Sequence, residues 1–262
     1  MTLGGRVTFL GTGTSHGVPM IGCRCDVCRS EDPRDTRLRP SILIAGPEGQ
    51  VLVDTTPDLR QQALTHGIDR LDAVIFTHSH ADHIMGLDDV RRFNHLQRAP
   101  LPCYATEGTW RDIRRTFHYI FDDRPRVGGG VPEIVPHVID GPLTVAGMHL
   151  VPIPLWHGAM PVLGFRVGGF AYLTDCNRLD EAAWPLLEHV DTLVVDALRD
   201  KPHATHFTVS EALGVVERLA PRCAYLTHMA HDLGHRATNA RLPAGVELAY
   251  DGLVIGVAVA PE

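Results

Sequence analysis

The run His78-Ser79-His80-Ala81-Asp82-His83 directly follows a fully apolar stretch at 73–77, and no other feature narrows the possible folds as much. Four potential ligands fall within six residues at the end of a buried strand. Three imidazoles and a carboxylate cannot be packed there as ordinary core, because buried polar groups need hydrogen-bond partners or a metal. In an extended loop the side chains at 78 and 80 point the same way, whereas Asp82 and His83 lie on the following turn. That spacing divides the ligands between two adjacent ions. Imidazole nitrogen and carboxylate oxygen are the donors that Zn²⁺, Mn²⁺ or Fe prefer.

The elements around this run alternate. Apolar segments predict strands at 7–10, 41–45, 51–54 and 73–77, a short helix at 59–64 and another at 109–117. Leu87, Val90 and Phe93 recur at helical spacing between them. The second half repeats the pattern, with strands near 143–145, 150–153, 164–167 and 171–174, a helix over 180–187, and strands at 192–196 and 224–227. Thr208 and Glu211 form a capping-box pair, so a helix starts at Thr208. Clustered strands with intervening helices predict an α/β, four-layer αβ/βα sandwich of two mixed sheets. Residues 1–262 read as one domain with a Cys-rich loop at about 16–40. The Gly128-Gly129-Gly130 run reads as a mobile loop rather than a boundary. Gly11-Thr12-Gly13-Thr14-Ser15-His16-Gly17 superficially matches a dinucleotide fingerprint, but its third glycine is one residue late and a cysteine cluster follows where a helix should. A tight strand-to-loop turn is the better reading.

Composition excludes several classes. With 24 basic and 31 acidic residues the net charge is −7, so there is no bulk cationic field to attract nucleic acid or an anionic membrane. No apolar run approaches the ~20 residues a bilayer crossing requires, and the first residues lack the pattern of a secretory leader. A cytoplasmic location is expected. Six cysteines in such a setting suggest metal rather than disulfides.

From the His78 run onward the chain resembles the metallo-β-lactamase fold hydrolases, whose signature is H-x-H-x-D-H. Further residues of that pattern occur in order at predicted strand ends: His157, Asp175 and His228. The resemblance implies that His78, His80 and His157 hold one metal, that Asp82, His83 and His228 hold the other, and that Asp175 bridges them. It also implies that Asp54 orients a ligand histidine from behind. Two such ions lower the pKa of bound water and bind the oxygens of a reacting phosphate, which suits phosphodiesters.

Cys23-Arg24-Cys25-Asp26-Val27-Cys28 supplies three thiols, three quarters of a tetrahedral zinc site. His231, three residues after His228, is the candidate fourth ligand. Cys103, Cys176 and Cys223 read as small buried apolar side chains. The Gly11–Pro19 segment, the cysteine trio, the His78 run and Thr227-His228-x-x-His231 together resemble the PhnP family. Its characterised members open phosphoribosyl 1,2-cyclic phosphate with two Mn²⁺-type ions beside a structural zinc. The resemblance therefore implies a phosphodiesterase with two divalent ions (Mn or Zn, with Fe open) and one structural Zn, acting on a small cyclic phosphodiester.

His206 and Asp82 are the candidate catalytic groups. His206 matches the family's phosphate-contacting histidine, and the N-terminus of the helix beginning at Thr208 offers N–H groups to a phosphate oxygen. His203 reads as a surface residue. Lys201 is the only lysine, so any other phosphate clamp must be arginine. Two alternatives share the fold. An RNase Z-like tRNA 3′-processing endonuclease needs a long basic arm, and 82–157 offers only the Gly128–Gly130 run. A non-catalytic carrier such as pyrroloquinoline quinone biosynthesis protein B tends to have lost ligands that are all present here. A small pocket without its own lid favours a homodimer.

Overall fold

The computed structural model describes residues 4–122 and 130–259, so Gly128 and Gly129 of the expected loop lie outside the described residues. Two sheets form its centre. In spatial order the first contains Val254–Val257, Gly5–Gly11, Ser41–Gly46, Gly49–Val53, Ala73–Ile75, Leu101–Ala105 and Ile134–Val138. The second runs Arg178–Leu179, Met148–His157, Met160–Val167, Phe170–Leu173, Thr192–Asp196, Cys223–Thr227 and Val246–Leu248, with Leu143–Val145 paired to Met148–His157. Both are mixed: antiparallel hairpins give way to parallel strands linked through helices.

Strand periodicity explains the layering, since successive side chains point to opposite faces. Ala73 and Ile75 face the core between the sheets, whereas Val74 and Phe76 face the outer helices. Val194 likewise points inward while Leu193 and Val195 point out. Strands buried on both sides must be apolar throughout, which is why these runs do not alternate with polar residues. Leu59, Leu87, Val90, Phe93, Trp110 and Ile113 cover the outer face of the first sheet, and Val209, Ala212 and Val215 cover that of the second. The result is the four-layer αβ/βα sandwich.

Two differences from the sequence reading have local causes. The helix expected over 180–187 is instead a series of turns ending in the 3₁₀ segment Pro185–Leu187, closed by Ala183 N–H to Asp180 O and Leu186 N–H to Ala183 O. Pro185 has no N–H to continue an α-helical ladder. Leu101–Ala105 and Ile134–Val138 are strands despite Pro102 and Pro136, which remove ladder donors and hide the signal. At the other expected elements the agreement is close, while the helix His235–Asn239 and the strands Val246–Leu248 and Val254–Val257 were not expected. The helix Val209–Leu219 starts with the expected reciprocal cap between Thr208 and Glu211. Gly11 and Gly13 pack against the backbone at 37–39 so tightly that a Cβ would collide with it, confirming the strand-to-loop turn. Among the described residues no helix is long and apolar enough to cross a membrane.

Candidate active site

The parallel strands end on one edge of the sandwich, and three residues just beyond those ends carry positive φ. These are Asp54 (66°), Asp175 (51°) and His228 (60°). The left-handed turn swings each side chain off its strand and into a common cleft. His157 closes Met148–His157, and His78 lies three residues beyond the end of Ala73–Ile75. His80 precedes the short helix Ala81–Ile84, which carries Asp82 and His83.

Asp175 lies at the centre of what these elements bring together. Its Oδ2 is 3.1 Å from His83 Nε2, and its Oδ1 is 3.1 Å from His228 Nε2 and 4.0 Å from His78 Nε2. Asp82 Oδ2 stands 3.4 Å from His83 Nε2 and 3.7 Å from His228 Nε2. Asp82, His83, Asp175 and His228 thus form one tight group. His78, His80 and His157 gather on the other side, with ring centroids 4.6 Å apart for His78 and His80 and 5.0 Å for His80 and His157.

The electrostatics suit cations. Burial opposes charge on His83, yet Asp175, Asp82 and Asp54 hold its pKa well above the imidazole value. Burial likewise opposes charge on His228, but mainly Asp175 holds its pKa up, at about 10. His78 is pushed well below the ordinary value by burial and by His83, and burial brings His157 down to about 4. Despite burial, Asp175 is held well below the carboxylate range by His228 and His83. The Nε2 atoms of His78, His83 and His228 are all buried without a hydrogen bond in acceptable geometry among the described residues. Divalent ions satisfy such orphaned nitrogens, and this donor set of imidazole nitrogen and carboxylate oxygen fits them.

Supporting groups fix the orientation. Asp54 is fully buried and accepts from His83 Nδ1 at 2.7 Å, while Thr77 donates to both of its oxygens at 2.8 Å. His157 Nδ1 is 2.8 Å from the Thr205 carbonyl. Nitrogens fixed on one side leave the opposite one aimed at a metal.

His206 enters the cluster more deeply than the sequence reading implied. Its ring stacks 4.6 Å from that of His228 and lies 4.5 Å from that of His157. It also groups with His157 and Asp175 at distances that could hold an ion. The helix N-terminus expected to receive a phosphate is already taken. Thr208 N–H bonds Glu211 Oε2, Val209 N–H bonds the Arg199 carbonyl and Glu211 N–H bonds Thr208 Oγ1. The Glu211 carboxylate itself occupies the position an anion would need.

Asp196 is the functional residue that the sequence reading passed over. It is fully buried and accepts from His206 Nδ1 at 2.8 Å and from the Cys176 N–H at 2.9 Å. Its other oxygen lies 3.9 Å from His228 Nδ1. A buried aspartate ending the 192–196 run was the available signal, but a strand-terminal carboxylate without a nearby histidine in sequence has no distinguishing spacing.

The cysteine trio and His231 form a second group whose donor atoms lie close enough to hold a metal ion. Cys23 Sγ and Cys25 Sγ are each 3.3 Å from His231 Nδ1, and Cys28 joins the same group. A tetrahedral zinc with Zn–S of ~2.3 Å and Zn–N of ~2.0 Å sets the sulfur–nitrogen separation near 3.6 Å, so the donors fit it. Backbone hydrogen bonds lower the Cys23 and Cys25 thiols, while burial raises Cys28 to about 11. Below the loop, Arg37 is fully buried and bonds the Ala230 and Leu233 carbonyls and Asp35. Cys25→Ser should therefore remove one equivalent of bound zinc and destabilise the fold by about 2 kcal/mol or more, lowering Tm by roughly 4–8 °C. Metal analysis with a thermal melt checks this, and wild-type values in both would refute it.

Residues 50–229 match the family described as the beta-lactamase superfamily domain. The crystal structure of a diphosphatase from the PhnP family superposes with a TM-score of 0.92 at 42% identity, covering 98% of this chain and all of that one. The chain belongs to the PhnP family of this superfamily. The octanoyltransferase of Porphyromonas gingivalis is 38% identical to this PhnP-family chain over 251 residues, or 95% of it; the chain spans 51%, about half, of that protein's length. Coenzyme PQQ synthesis protein B of Methylorubrum extorquens is 32% identical over 226 residues, 73% of this chain and 72% of that protein. The family and the folded site together place the protein in the metallo-β-lactamase fold.

Proposed function

We propose that the protein is a metal-dependent phosphodiesterase that hydrolyses a small, cyclic phosphodiester such as phosphoribosyl 1,2-cyclic phosphate or a cyclic nucleotide. The convergence of His78, His80, Asp82, His83, His157 and His228 around Asp175 carries this reading. His78, His80 and His157 would hold one ion, Asp82, His83 and His228 the other, and Asp175 both. Divalent ions there supply acidified water and neutralise charge on phosphoryl oxygens. The chain's own part is positioning and proton transfer. Asp196 fixes His206 through Nδ1, so Nε2 is the atom that faces the cleft and donates a proton to the departing alkoxide.

A second reading is favoured by the PhnP-family diphosphatase at 42% identity. Attack at phosphorus is common to both reactions, but a diphosphate expels phosphate, a far weaker base than an alkoxide. An RNase Z-like activity has less support from a chain of net charge −7. The test is to load the protein with Mn²⁺ or Zn²⁺ and assay a ribose cyclic phosphate, a diphosphate-linked dinucleotide and a precursor tRNA. Turnover of the cyclic ester above the other two is expected. Preferred cleavage of the dinucleotide would replace this reading with the second, and inertness toward every substrate would leave a binding protein.

A further inference from the structure

The segment 228–231 joins two clusters. His228 belongs to the buried group around Asp175, and His231 belongs to the cysteine group. The residues between them are clamped to the loop that carries the cysteines. Met229 N–H bonds the Thr12 carbonyl at 2.9 Å and Thr14 N–H bonds the Met229 carbonyl at 3.0 Å, a short bridge between Gly13 and Met229. Arg37 Nη1 donates to the Ala230 carbonyl at 3.0 Å. The Arg37 backbone in turn pairs with Val18 in both directions, at 2.7 and 2.8 Å. Val18 and Arg37 flank the cysteines, so one buried side chain ties both ends of their loop to the segment beginning at His228. His228 itself has a φ of 60°, which a histidine keeps only where its surroundings enforce it.

The cysteines differ in access. Cys103 and Cys176 are completely buried. Cys23, Cys25 and Cys28 are only partly buried, and the exposed residues Arg24 and Asp26 flank Cys25, so a small solute reaches its sulfur. Cys25 and Cys28 stand in a C-x-x-C pair. The Cys28 N–H points at Cys25 Sγ from 3.4 Å, and both sulfurs lie in a group whose donor atoms are within 4.8 Å of one another.

From this arrangement we propose that Cys25 and Cys28 are a reversible oxidation site, through which a peroxide weakens ion binding at His228 by way of the 228–231 segment. The Cys25 thiolate attacks one peroxide oxygen and breaks the O–O bond, giving a sulfenic acid and hydroxide. The Cys28 thiolate then attacks that sulfur and displaces a second hydroxide, forming the disulfide. Both hydroxides take protons from solvent, so two thiols and one peroxide become one disulfide and two waters. Thiolates are the metal ligands, and a disulfide is not one. Only Cys23 and His231 then remain of the four zinc donors. The segment 228–231 loses the anchor at its far end, and the strained turn at His228 is held by fewer contacts. This inference goes beyond the proposed reaction and does not depend on which ester is cleaved.

The test adds hydrogen peroxide to reduced protein carrying one equivalent of zinc and Mn²⁺. Differential alkylation with mass spectrometry should find a disulfide between Cys25 and Cys28, and a chromogenic chelator should detect about one equivalent of released zinc. Dithiothreitol with added zinc should reverse both. In equilibrium dialysis the oxidised protein should bind Mn²⁺ about tenfold or more weakly, with an unchanged circular dichroism spectrum. Cys223→Ser, which removes a partly buried thiol outside the group, should leave the whole response intact. Absence of that disulfide, oxidation that dithiothreitol does not reverse, retention of zinc, unchanged Mn²⁺ affinity, loss of the whole fold, or a response abolished in Cys223→Ser would each overturn the proposal. No turnover is measured, so failure to hydrolyse any phosphodiester would count against the proposed function alone.

Discussion

Asp175→Ala should lose at least about 10³-fold in kcat/KM, more than the ~10–100-fold that follows loss of a merely supporting partner. The carboxylate is almost completely buried and lies within 4.0 Å of three ligand histidines from two sides of the site. In the proposed two-ion arrangement its removal would take a donor from both ions and the negative charge that would hold two dications together. His157→Ala strips a donor from only one side and should lose less. Because Asp175 has positive φ, alanine there adds backbone strain of about 1 kcal/mol. Asp175→Asn avoids that complication, since asparagine tolerates the left-handed region and keeps the shape while losing the charge. Both variants should bind fewer metal ions and retain the fold. Equal and small losses for Asp175→Asn and His157→Ala would contradict the shared-ligand arrangement.

His206→Ala should lower kcat by roughly 10²–10⁴ on a ribose cyclic phosphate, the range associated with general acid catalysis. The loss should nearly vanish with bis-p-nitrophenyl phosphate, because p-nitrophenolate leaves without a proton. Asp196→Asn keeps the shape of the partner that accepts from His206 Nδ1 and removes its charge, so it should show the same leaving-group contrast in weaker form. A residue with only a structural role would depress both substrates alike. Equal losses on the two substrates would therefore remove the acid role, and unchanged kinetics on both would remove His206 from the reaction.

The order of strands and the ligand run after 73–77 were legible because both are local. A strand buried on two faces must be apolar, and several histidines crowded at its end need a metal or many hydrogen-bond partners. What stayed hidden was relational. His206 was named as a candidate only through the family resemblance, and only the fold stacks it against His228 and ties it to Asp196. The capping box was visible, yet the same pair fills the helix end that looked free for phosphate. Arg37 has no spacing that marks it, since the carbonyls it holds come from residues nearly two hundred positions later. Strands containing Pro102 and Pro136 were missed because a local rule was outweighed by pairing on both sides or at the sheet edge.

The left-handed backbone at Asp54, Asp175 and His228 sets durability against chemistry in this chain. At each position a glycine would relax the main chain, since it alone carries no Cβ to crowd the carbonyl. At each position glycine would also delete a group on which the cleft depends. A lineage selected for heat survival alone would therefore drift toward sturdy, inert descendants. Two aspartates and a histidine at these turns are what selection for reactivity, at some cost in ruggedness, leaves behind.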